Sequence, residues 1–281
     1  SGASITGNGG GMAADTAEGD CGVGASASHG GTYGGWSGKG SGSSATGATP
    51  CGSYTYPQLL GSGGRGVPGW ASGGLGGGAF ALVANASTWT TVQFDGTISV
   101  GGTSGNVGRW GAGGGGSGGS VLLDVSVLRG SGKVYANGAT GLRGGDANNQ
   151  WSGGGSGGRV AVHALDDSNS SLALQACGGS AHSTSYYGGA GTVFTSVGVH
   201  RPTRFRQLFI DNCGRLGVST RSAELTSKEE EYEFEVVTLS GYGQLSIALP
   251  SGLVGARSSL VVKSVAGDGT GWIRARPNTD V

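Results

Sequence analysis

Four cysteines, Cys21, Cys51, Cys177 and Cys213, carry the clearest chemistry in this chain. An even count without a CxxC pair argues for disulfides rather than a zinc site. Four cysteines allow three pairings, and sequence proximity favours Cys21–Cys51 and Cys177–Cys213; four buried free thiols are the alternative. Asn85-Ala86-Ser87 and Asn169-Ser170-Ser171 are acceptor sequons for N-glycosylation. Sequons arise often in Ser/Thr-rich sequence, so the cysteines carry most of the weight for an extracellular or cell-surface chain.

The other polar residues offer little for catalysis. Glycoside hydrolysis needs two carboxylates held about 5 to 9.5 Å apart. Asp166 and Asp167 are adjacent but read as a polar turn, and strand alternation turns Asp124 of Leu122-Leu123-Asp124-Val125 outward. The acidic run Glu229 to Glu235 alternates with Tyr232 and Phe234. That pattern describes a strand with one charged face better than a calcium loop, which needs converging oxygens. His29, His163, His182 and His200 show no metal-ligand spacing. The glycine runs lack the Lys-Ser/Thr and the helix of a phosphate loop. The expectation is therefore no enzyme, with no catalytic, cofactor or metal site. The tryptophans are more promising. Trp36, Trp70, Trp110 and Trp151 sit among glycines, and Trp110 and Trp151 are 41 residues apart. These two are expected on one face, where they either cover a flank or contact a glycan or a neighbouring chain.

Composition dictates the elements that position these residues. Of 281 residues 65 are glycine, about three times ordinary usage. Helix is disfavoured, because each interior glycine costs about 1 kcal/mol relative to alanine. Pro is scarce and glycine has no strict period of three, which excludes collagen. Zero net charge removes the electrostatic footprint of nucleic-acid binding. No run of 18 apolar residues is present to span a membrane as a helix. Trp, Tyr and Val/Ile/Leu-rich islands argue against disorder.

Internal repetition is the strongest signal. Gly-Gly pairs at 77, 118 and 157, separated by 41 and 39 residues, open strand-like islands at Ala79–Val83, Val121–Val125 and Val160–His163. Each is followed by a second short island ending in glycine, as in Val134-Tyr135-Ala136-Asn137-Gly138, which Ser4-Ile5-Thr6-Gly7-Asn8-Gly9 resembles. A fourth repeat opens at Gly189-Ala190-Gly191. Short strands flanked by glycine cannot bury an apolar face alone, and stacking them about 4.8 Å apart solves this. The expected fold is all-β, a right-handed parallel β-helix (solenoid) with Gly-rich loops. Residues 1–200 hold the glycine-rich coils, with a disulfide-closed insertion at about 11–73. Residues 201–281 continue as coils with less glycine, through islands at 208–210, 234–239, 244–249, 259–263 and 272–275. Ser1, with no initiator Met or signal-peptide core, reads as the start of a processed chain or a fragment.

The ordered elements Leu128-Arg129-Gly130-Ser131-Gly132-Lys133-Val134-Tyr135-Ala136-Asn137-Gly138 and Gly153-Gly154-Gly155-Ser156-Gly157-Gly158-Arg159-Val160-Ala161-Val162 carry a resemblance. With Tyr56-Pro57-Gln58-Leu59-Leu60-Gly61-Ser62-Gly63-Gly64 and Leu260 to Gly271, they resemble large eukaryotic glycine-rich cell-surface proteins of plants and protists, mastigoneme-like proteins among the possibilities. The resemblance covers most of the chain and implies a β-helical extracellular segment of a longer protein, without a catalytic motif. The expected function is a structural solenoid segment of a filament, surface coat or flagellar hair. The alternatives are a carbohydrate-binding or adhesive module and, behind it, a polysaccharide-active β-helix enzyme. Expected partners are other copies or further segments of the same assembly, and glycans, but neither nucleic acid nor membrane.

Overall fold

The computed structural model describes residues 2–19, 21–22, 26–43, 48–84, 89–145, 150–198, 205–216, 223–225, 231–247 and 259–275. Its strands are β1 (Ser4–Thr6), β2 (Ala79–Val83), β3 (Thr91–Gln93), β4 (Thr97–Ser99), β5 (Val107–Gly108), β6 (Gly111–Ala112), β7 (Ser120–Gly130), β8 (Lys133–Tyr135) and β9 (Arg159–Ser170). They continue with β10 (Ala173–Gln175), β11 (Thr192–Val197), β12 (Phe205–Asp211), β13 (Ala223–Leu225), β14 (Glu231–Ser240), β15 (Gln244–Ile247), β16 (Ser259–Gly267) and β17 (Trp272–Ala275). The described residues contain no α-helix, only a 3-10 turn at Thr184–Tyr186. The fold is all-β, with parallel and mixed open sheets and no closed barrel among them.

The repeats stack as their spacing predicts. Phe80 of β2 lies opposite Val121 of β7, Val121 opposite Val160 of β9, and Val160 opposite Val193 of β11, all in parallel register. The second islands form their own parallel sheet, in which Ile5, Ile98, Val134 and Leu174 share one row. That small sheet covers one face of the eight-stranded sheet, where Ile98 and Val134 pack with Val121, Leu123, Val160 and Val162.

After β11 the chain reverses. β12 pairs with β11 antiparallel, and β14 and β16 then follow β12 in parallel. The second short sheet, β13-β15-β17, moves to the opposite face of the large sheet: Leu245 of β15 packs with Phe234, Val237, Leu239 and Leu208. Alternation places Leu208, Val237 and Leu239 opposite the Val121/Val160/Val193 row, and Phe234, three residues before Val237, joins them across a break in the alternation of β14. Reversal and change of face occur at the same junction. A single parallel stack, the sequence-based expectation, is therefore corrected to a mixed sheet. A hairpin-like β11/β12 junction joins two parallel stacks.

The glycine runs are not loops. Residues 111–119 and 152–158 are buried throughout. From Gly114 to Gly119 successive N–H groups donate to Arg65, Gly153, Thr103, Ser62, Ser156 and Val100 carbonyls, at 2.9 to 3.0 Å. Every third donor returns to the same neighbouring segment, so three residues make one turn, the pitch of a polyproline-II helix. Carbonyls of the same segment accept from Gly74 and Gly77, Gly31, and Ala139. Six neighbouring segments thus surround it. The segment 153–158 repeats the pattern, donating to Ser28 and Gly31, Tyr186 and Gly189, and Ala139 and Ala136 in turn. Close approach of backbones requires glycine: a Cβ on Gly116 would collide with the Leu75 carbonyl, and one on Gly155 with the Gly116 carbonyl. Serine is accommodated where its hydroxyl meets a backbone donor, Ser62 N–H to Ser117 Oγ and Tyr33 N–H to Ser156 Oγ, each 2.8 Å.

The insertion at 11–73 supplies bundle segments around 30–38 and 61–64. Its Cys21–Cys51 bridge sits in a small core with Tyr33. Arg159, wholly buried at the start of β9, donates from Nε to the Cys51 carbonyl at 2.9 Å and from Nη1 to Thr192 Oγ1 at 3.2 Å. The guanidinium also lies 5.7 Å from the centre of the Tyr33 ring. This side chain ties the bundle to the sheet.

Candidate interaction surfaces

Both disulfides form with the pairing that proximity favours. Cys21 and Cys51 are 5.1 Å apart at Cα and Cys177 and Cys213 are 5.9 Å apart. The second bridge ties the end of the bundle to the turn after β12. There the buried Asn212 accepts from Gly178 N–H at 2.9 Å and donates to the Arg215 carbonyl at 2.8 Å. Two bridges fit an oxidising environment. Asn169 lies exposed near the end of β9, and Asn85 falls outside the described residues.

At one end of the glycine bundle three turns lie side by side, each carrying an arginine and a tryptophan. The first closes through the Val67/Ala71 bridge, the second through the β5/β6 pair, the third through the Arg143/Trp151 bridge. Ser72 N–H donates to Asn106 Oδ1 at 2.6 Å, joining the first turn to the second. Gly145 N–H donates to the Gly108 carbonyl at 3.1 Å, joining the third to the second. Backbone pairing thus brings the described parts of these adjacent turns to one surface.

Trp110 and Trp151 do reach neighbouring turns, but each has its own ring partner. Trp110 meets Trp70 edge to face, at 6.1 Å between centres and 82°. Trp151 stacks on His182 at 3.7 Å and 18°. Arg109 and Arg143 lie over Trp110 and Trp151, at 5.1 and 5.0 Å. Trp70 and Trp110 remain 52% and 40% exposed, whereas Trp36 is buried. Repeat spacing alone missed Trp70 as a member of this surface. The signal available was that Trp70 follows a Pro-Gly turn and lies, like Trp110, a few residues before a glycine run. Beside the pair is a cleft of about 800 Å³, lined by Asp15, Arg65, Pro68, Trp70 and Asn106 among others. Arg65 Nε and Asp15 Oδ1 form an ion pair at 3.4 Å, and Asp15 also accepts from Gly66 N–H.

A second depression lies where the face cover changes sides. Beyond the β10 edge, the face of β11, β12 and β14 forms a groove of about 350 Å³ that includes Asp167, Asp211, Leu174, Phe209 and Thr238. Asp166 and Asp167, expected in a turn, belong instead to the long strand β9. The hydrogen bond from Ser168 N–H holds the Asp166 carboxyl below its ordinary range, while burial pushes Asp167 up. Asp124, in β7, is opposite His163 in register. His163 Nε2 is 2.7 Å from the Thr55 carbonyl, and its ring stacks on Tyr56 at 4.4 Å.

Among the described residues, both sheet systems end in strands with no further partner. β2 and β1 form one end, with Val83 63% and Ile5 46% exposed, and β16 and β17 form the other, with Val265 60% and Ile273 37% exposed. No helix among the described residues is long and apolar enough to cross a membrane. Compared with family models, with curated proteins and with solved structures, the chain gives no match.

Proposed function

We propose that this chain is a structural, extracellular segment of a larger assembly, built as right-handed β-solenoid coils that join further coils or copies end to end. The observation that carries the reading is the pair of open ends. Each presents unpaired strand edges and exposed aliphatic side chains, whereas natural edges are usually covered, charged or broken by proline. At the β16 end the Lys263 charge is paired, its Nζ lying 3.2 Å from Glu235 Oε1. Zero net charge also leaves little long-range repulsion between copies. Right-handed return of parallel strands is the general rule, and the linked reversal and face change are consistent with one hand throughout.

The strand directions say how copies would meet. β16 runs opposite to β2, so a copy stacked on the next by translation along the axis makes an antiparallel junction. The β11/β12 pair already forms that kind of junction within the chain. The disulfide-tied glycine bundle serves as a stiff strut beside the sheets. Light scattering on purified chain over a concentration series, with electron microscopy of the product, tests the reading. Concentration-dependent, end-to-end oligomers support it, and a monomer that persists at high concentration overturns it.

A further inference from the structure

We propose that the cleft beside Trp70 and Trp110 is a carbohydrate site that takes a neutral, β-linked glucan-type chain.

Three observations carry this. First, the indoles are held in solvent by construction. Trp70 and Trp110 are 52% and 40% exposed although they meet edge to face and Arg109 lies over Trp110. Both stand on short turns tied by backbone pairing, so a ligand need not order them first. Second, the polar lining is balanced. Arg65 and Asp15 neutralise one another, and Asn106 and the glycine backbone add neutral groups. Such a lining favours a ligand rich in hydroxyls over an anion or a cation, since an ion would find its counter-charge already engaged. Third, the cleft is open to solvent and in the size range of ligand sites.

Chemistry narrows the class. In a β-linked glucopyranose the ring substituents are equatorial, so both faces of the ring present C–H groups to an aromatic plane. The rim hydroxyls then point outward toward groups such as Asp15, Arg65 and Asn106. A protein partner would have to desolvate the Arg65–Asp15 ion pair along with the rings, whereas sugar hydroxyls can meet those charges without shutting out water.

The test uses hydroxyethylcellulose in affinity gels and cellohexaose in calorimetry. Retardation in the gel and saturable binding of cellohexaose are expected, with quenching or a shift of tryptophan fluorescence. Trp70→Ala and Trp110→Ala each weaken binding by about tenfold or more, and Trp70→Phe restores part of it. Trp110 does not line the cleft but abuts the Trp70 ring, whereas Trp89→Ala, at an exposed tryptophan that neither lines the cleft nor pairs with Trp70, leaves binding unchanged. Circular dichroism checks that each variant is folded, and Trp70→Phe keeps a ring in place should the alanine variant unfold. The proposal is overturned if the wild-type chain binds neither probe, or if folded Trp70→Ala and Trp110→Ala bind as well as wild type. Binding of a protein alone through these tryptophans overturns it as well.

Discussion

At the scale of single residues, the glycines are fitted parts rather than spacers. Replacing glycine by alanine usually stiffens the unfolded chain and stabilises a protein where space and backbone angles allow. Gly116→Ala should do the reverse, because the new methyl would occupy the place of the Leu75 carbonyl inside the bundle. Overpacking against backbone is expected to cost more than about 3 kcal/mol, read as a lowered urea midpoint. Gly42→Ala is the comparison: its φ of +75° strains alanine by about 1–2 kcal/mol, but nothing lies within 4 Å of the new atom. A second residue-scale expectation concerns Asp268, in the turn between β16 and β17. Its carboxylate accepts from Thr270 Oγ1 at 2.6 Å and from Gly241 and Thr270 N–H at 2.9 Å, which lowers its pKa to about 2. The folded value lies below the unfolded one, so this contribution to stability is present above about pH 4 and is lost as pH falls through about 2. Carboxyl-resolved NMR titration should give that midpoint, and Asp268→Asn should remove this component of the acid response.

At the scale of elements, the insertion is closed on itself by a disulfide and fastened to the sheet by a buried arginine as well as by its backbone hydrogen bonds. The Cys21–Cys51 bridge closes a separation of 30 residues, and loop-closure entropy assigns such a bridge about 3–4 kcal/mol. Joint replacement of Cys21 and Cys51 by serine should lower stability by that order in chemical denaturation. It should also expose the 30–38 segment to amide exchange, because its N–H groups donate into the bundle. If exchange there is unchanged, the bundle is self-sufficient and the bridge is incidental to it. Arg159 is the other fastening. The bond from its Nε to Cys51 and the ring of Tyr33 place a cation inside the protein, and burial raises the Tyr33 pKa. Arg159→Met keeps much of the volume but leaves the Cys51 carbonyl without this donor. A loss of about 1–3 kcal/mol is the expected outcome in the same denaturation measurement.

At the scale of the whole molecule, the two ends decide whether the chain is solitary. Val83→Lys and Val265→Lys place a charge at opposite open edges without entering either core. Each should reduce end-to-end association in light scattering by at least severalfold, with the fold intact by circular dichroism. Retention of association in both variants would move the contact away from the edges. Chain reversal at β11/β12 matters here too, because it leaves the β12 and β14 face beside β10 uncovered by the short sheet.

Local pattern in the amino-acid sequence determined the repeated pairs of islands, their parallel register and both disulfide pairings. Spacings of 39 and 33 residues bring Val121, Val160 and Val193 into one row, since each island must share its buried face with the next. Beyond residue 200 five islands were legible, with Phe234 buried and Glu233 exposed as the acidic alternation implies, but β13 at Ala223–Leu225 was not. Tertiary structure alone decided three things. It reversed the strands at β11/β12, because alternation along a strand is the same in either direction. It turned the glycine runs from loops into a six-neighbour bundle, because a glycine records freedom for close approach but not which backbone approaches. Finally, it brought Trp70 to Trp110 across a sequence distance that no repeat marks, because the partners of a turn are set by how bundle segments pack side by side.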